Sequence, residues 1–136
     1  MTISNSVLWS RALALVAVVF GAFTLKEGGD VLFGEGAARA AAGDYVPFVL
    51  WFNFLAGFAY IAAGVGLWLR RHWAWLMAAA IFLATLVVFA TFAAHILLGG
   101  PYEARTLLAM SLRTIVWGII AWFARQLLSK ATERGK

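Results

Sequence analysis

The chain contains no cysteine. That removes disulfides, thiolate metal sites and thiol redox chemistry together, and with them the four-helix membrane thiol oxidoreductases. Charge is scarce as well: Asp, Glu, Lys and Arg make up 12% of the 136 residues, where a soluble domain carries about a quarter. Such a composition excludes a soluble globular protein. Four apolar runs of helix-spanning length, about 20 residues each, fill most of the sequence and leave no room for a separate soluble domain. Enzyme signatures are missing too. No spaced pair of carboxylates lies inside the apolar runs, there is no His-Glu metal motif, and no serine stands beside a histidine as a nucleophile requires. The glycines of the first loop lack a phosphate-loop pattern, and no cofactor is expected.

What the sequence has is hydrophobicity: 64% of it is apolar, with seven tryptophans placed mostly near the ends of apolar runs as interfacial anchors. The formal net charge is +5. Its basic residues sit beside the ends of apolar segments, which is a topology signal and not a nucleic-acid patch. Spans are expected at residues 7–25, 47–69, 73–98 and 104–128, with a loop over 26–46, all in one membrane domain covering 1–136. The opening stretch MTISNSVLWSRALALVAVVFGAFT has the apolar core of a signal peptide. Its positive flank is weak and no small-x-small cleavage site follows, so it is expected as a retained first helix. Arg11 stands one turn inside and snorkels to the headgroups.

The loop over 26–46 is acidic, holding Glu27, Asp30, Glu35 and Asp44 against Lys26 and Arg39, and its glycines break any long helix. Within it GEGAARAAAGD has the composition of a short surface helix, too alanine-rich to hold a membrane by itself. Pro47 opens the second span at a tolerated first-turn position. Asn53, Gly57, Tyr60 and Gly64 recur at helical spacing and share a face suited to packing against another helix. Arg70, Arg71 and His72 form a basic turn, and Gly99-Gly100-Pro101 stops the third span.

Arg11, Arg70, Arg71, Arg125, Lys130, Arg134 and Lys136 fall on one side, against Lys26, Arg39 and Arg105 on the other. The bias places both termini in the cytoplasm of a bacterial inner membrane and gives an all-α, antiparallel four-helix bundle. On that topology the acidic loop and the Gly-Gly-Pro hinge face outward. Arg113 then lies about two turns inside the fourth span, where a charge usually has a reason. His95, Asn53, Tyr60, Glu103 and Trp117 complete a candidate ligand site around it on the outer half of the bundle. One reading is a polar pocket for an anionic or carbonyl-bearing amphipathic molecule, such as a quinone or a lipid headgroup. The other is structural: Arg113 pairs with Glu103, Glu27 or Asp30, or stacks on Trp117. His72 lies about a bilayer thickness from His95, so one chain supplies no bis-histidine haem site, and Met110 is the only sixth ligand nearby. No metal site is expected.

The stretches SRALALVAVVFGAFTLKEG and GFAYIAAGVGLWLRRHWAWLMA resemble the DoxX-like group of small bacterial four-helix membrane proteins. The first matches an arginine-led helix ending in glycine and lysine, the second a glycine-rich helix ending in a basic turn. The resemblance covers about the first two thirds of the chain and leaves out YEARTLLAMSLRTIVWGIIAW. It implies a membrane component, in some members tied to quinone-coupled or redox complexes. The functional expectation is therefore a non-enzymatic membrane protein that binds a small amphipathic or anionic ligand or serves as an accessory subunit, alone or in a homo-oligomer or larger complex in the lipid bilayer. A quinone-linked oxidoreductase component and a small oligomeric transporter are the alternatives.

Overall fold

The computed structural model describes residues 2–133 and, among them, contains helices and no strands. Four are long: α1 (Ile3–Phe33), α3 (Pro47–Trp68), α4 (Trp73–Leu97) and α5 (Ala104–Glu133), with a six-residue α2 (Ala37–Ala42) between the first two. Each long helix is long and apolar enough to cross a membrane. Their outward faces carry exposed Leu15, Val19 and Phe23 on α1, Leu55 and Phe58 on α3, Leu83 and Val87 on α4, and Leu108, Ile115 and Trp122 on α5. A soluble monomer rarely shows so continuous an apolar surface.

The core is made by small residues that let backbones approach, as lipid-facing helices require. Ala14, Ala17, Ala63, Ala74, Ala78 and Ala124 are buried around Tyr60, Leu67, Trp117 and Ile120. α1 packs along α3, α3 against α4 and α4 against α5, and α1 touches α5 over a shorter stretch. Contacts of α1 climb α3 in reverse order: the Ser10 hydroxyl donates to the Leu67 carbonyl at 2.6 Å, Gly21 faces Gly57 and Ile61, and Gly28 faces Phe54. At Gly21 the approach is so close that a Cβ would lie 2.8 Å from Ile61 Cγ1 and 2.9 Å from the Gly57 oxygen.

The first loop is shorter than its glycines suggest. α1 does not stop near Leu25; it continues through Gly28 and Gly29 to Phe33, so Lys26 and Glu27 lie inside a helix and do not cap its end. A backbone that leaves its helix in an apolar medium loses hydrogen bonds worth several kcal/mol each, whereas a glycine costs a helix about 1 kcal/mol. The helix wins. Its last carbonyls are met by Arg39, whose Nε and Nη2 donate to Val31 and Leu32 at 3.2 and 2.9 Å.

Both remaining turns end their helices in the same way. Arg70, at φ 53°, lets the Arg71 amide donate back to Gly66 at 2.8 Å and its own amide to Leu67 at 3.1 Å. Gly99, at φ 84°, does the same with Ile96, and the Gly100 amide reaches His95. These are left-handed helix stops that satisfy otherwise orphaned carbonyls.

Candidate functional site

At the end of the molecule where α1 finishes and α3 and α5 begin, three helices present polar stripes to one another. Thr24, Glu27, Gly28 and Val31 recur on α1, Leu50 and Asn53 on α3, and Thr106, Ala109 and Arg113 on α5. These spacings of three and four put each set on one helical face. Together with α2 they line an open-sided cavity of about 570 Å³, within the range of small-molecule sites. Along each helix the residue farthest from α2 is polar: Thr24, Asn53 and Arg113.

Among the described residues Arg113 has no carboxylate partner. Its Nη2 donates to the Thr24 hydroxyl at a long 3.5 Å, and its guanidinium carbon stands 5.7 Å from the centroid of the Phe20 ring. The only ion pair among the described residues is Lys26–Asp30, at 2.8 Å on the exposed face of α1. The pairing of Arg113 with Glu103, Glu27 or Asp30 is therefore not made, and the aromatic it faces is Phe20, not Trp117.

Among the described residues, four buried side-chain atoms have no hydrogen-bond partner: Asn53 Oδ1, Tyr60 OH, Arg113 Nε and Trp117 Nε1. All four belong to residues singled out from the sequence. Buried polar groups are nearly always satisfied, so this concentration in one region calls for a reason. Tyr60 and Trp117 do not line the cavity; they stack behind it with ring centroids 4.6 Å apart, fully buried. The Tyr60 hydroxyl is within electrostatic reach of Arg113 and Thr85 without a hydrogen bond of good geometry to either.

Glu103 lines the cavity from the α5 side, and its Oε1 accepts the Asp44 amide at 2.8 Å. Gly43 stands there at φ 65°, a backbone conformation that side-chain-bearing residues rarely adopt, with the Glu103 carboxylate beside its Cα. Arg105, beside it, donates to the Ala41 carbonyl at 2.6 Å. Side chains that border the cavity thus also hold α2 in place.

His95 lies outside. Its Nε2 is 2.9 Å from the Pro101 carbonyl and its ring packs on Phe48. It fastens the turn between α4 and α5 and does not line the cavity.

Comparison with family models, with curated proteins and with solved structures finds no match. The site has to be read from its own chemistry. The sequence points to Asn53, Glu103, Glu27 and Arg113, which the fold brings to one cavity; it does not mark Thr24 or Arg105 as members of the site. For Thr24 the available signal is its three-residue spacing from Glu27 on α1, hidden by the expectation that the helix ends at Leu25. Among the described residues no cluster of His, Asp or Glu has the makings of a metal site.

Proposed function

We propose that this chain is a multi-pass protein of a bacterial inner membrane, an antiparallel four-helix bundle with both termini in the cytoplasm, whose outward cavity binds a small amphipathic molecule by its anionic or carbonyl head. The observation that carries this reading is Arg113, a guanidinium without a carboxylate partner at the inner end of a cavity of about 570 Å³. A cation held at membrane depth is costly and functional by default, and a structural arginine would be expected to have found one of the nearby acids. A guanidinium offers a planar fork of donors suited to a phosphate, carboxylate or carbonyl oxygen. The apolar wall contributed by Val31, Leu50, Ala109 and the alanines of α2 suits the body of such a ligand. The resemblance to DoxX-like proteins agrees with a membrane component of this size, acting as a ligand-binding or accessory subunit.

The test uses detergent-solubilised protein with a short-chain alkyl phosphate as probe. The probe is expected to raise the unfolding temperature of the wild-type chain, with binding at least ~10-fold weaker (about 1.4 kcal/mol) in Arg113→Gln. Equal shifts in both proteins overturn the reading. A short-chain quinone run in parallel separates the alternatives: stabilisation by quinone alone supports a quinone-linked oxidoreductase component at the same site.

A further inference from the structure

The cavity is not simply cationic. Its wall carries Lys26, Arg105 and Arg113 against Glu27, Asp30 and Glu103, so its formal charges cancel. Lys26 and Asp30 neutralise each other. Glu103 and Arg105 are committed to backbone groups of the α2 segment. Two charges remain to recognise a ligand: Arg113, and Glu27, which feels the charge of Lys26 but makes no hydrogen bond or ion pair among the described residues.

Their separation is set by helix geometry. Arg113 meets α1 at Thr24, and Glu27 follows three residues later, about 4.5 Å farther along the axis at 1.5 Å per residue. Glu27 therefore stands one turn nearer α2 than the arginine, on the same cavity wall. A simple anion held at Arg113 shares the open-sided cavity with this carboxylate and is disfavoured by it. A molecule that carries an ammonium one short linker away from its anionic group satisfies both.

We propose, resting on the ligand-binding reading of Arg113 above, that the site selects a zwitterionic head: an anionic oxygen group held by Arg113 and an ammonium held by Glu27. Thr24 and Asn53 line the cavity beside the two charges and supply the uncharged polar contacts. The shared chemistry is that of a phosphoethanolamine group, free or carried by a lipid. The apolar wall beside it tolerates either source.

The experiment measures binding to the full chain in detergent with phosphoethanolamine, inorganic phosphate and ethanolamine as separate probes, then repeats it in nanodiscs of phosphatidylethanolamine or phosphatidylglycerol. Phosphoethanolamine is expected to bind at least ~10-fold more tightly than phosphate or ethanolamine. Glu27→Gln, an exposed position that threatens no packing, is expected to reduce that preference to about threefold or less and to tighten phosphate binding. If phosphate binds the wild-type chain as tightly as phosphoethanolamine and depends on Arg113, the pocket stands and the zwitterion preference is overturned. If Glu27→Gln weakens both probes equally, the assigned role of Glu27 is overturned. If no probe binds, both readings fall. Competition by phosphatidylethanolamine nanodiscs, absent with phosphatidylglycerol, identifies a lipid as the source; equal binding in both identifies a free molecule.

Discussion

Tyr60 and Trp117 show how ring packing and polar tips separate energetically. Both are fully buried and stacked, yet the phenol oxygen and the indole nitrogen lack partners. The rings contribute contact area and an aromatic pair worth about 0.5–1.5 kcal/mol, while an unpaired buried hydroxyl costs about 1–3 kcal/mol. Tyr60→Phe is therefore expected to leave stability unchanged or raise it by up to ~1 kcal/mol, and Tyr60→Ala to lower it by ~3 kcal/mol or more through the cavity left behind. Reversible unfolding in mixed detergent micelles measures both, and a loss above ~2 kcal/mol in Tyr60→Phe would show that the hydroxyl is paired. The same scale explains what could be read in advance. Polar residues inside an apolar helix are rare enough to be conspicuous, so Asn53 and Arg113 marked the cavity. His95 looked alike on a helical net, but the left-handed turn at Gly99 brings the Pro101 carbonyl onto its ring, and no spacing rule reveals that. Arg113 also looked ready to pair with an acid, because sequence distance does not show that Glu103 is taken by the Asp44 amide.

At the scale of elements, the long apolar helices were legible from hydrophobic runs, and the extension of α1 was not. Gly28 and Gly29 read as breakers in isolation, but Gly28 lies against Phe54, where an added Cβ would come within 3.2 Å of the Phe54 Cβ and 3.4 Å of its ring. Glycine is there for closeness between helices. The six-residue α2 is too short to be stable alone and has no buried residues of its own. It is held by its own Arg39, which reaches the end of α1, by Glu103 just before α5 and by Arg105 in the first turn of α5. An arginine-to-carbonyl bond contributes about 1.5–3 kcal/mol, so Arg105→Ala is expected to speed amide exchange over residues 37–44 by at least ~10-fold and leave α3 and α4 protected as before. Hydrogen exchange read by mass spectrometry checks this. Unchanged exchange would mean that α2 is fixed by contacts other than this arginine.

For the molecule as a whole, the decisive question is which end faces out, and the missing cysteine makes it answerable. Every thiol introduced into this chain is the only one present. Glu35 lies between α1 and α2 at the cavity end, and Arg71 lies in the turn between α3 and α4 at the opposite end; both are exposed. The basic residues concentrate at the second end, with Arg70 and Arg71 there beside Arg11 and Arg125, while the first holds Glu27, Asp30, Glu35, Asp44 and Glu103. Positive charge within short segments is retained in the cytoplasm, whereas acidic residues have little influence on orientation. In intact cells a membrane-impermeant maleimide is thus expected to label Glu35→Cys strongly and Arg71→Cys only after permeabilisation. The reverse pattern would turn the cavity toward the cytoplasm and change the ligands available to it, since the headgroups and solutes on the two sides differ.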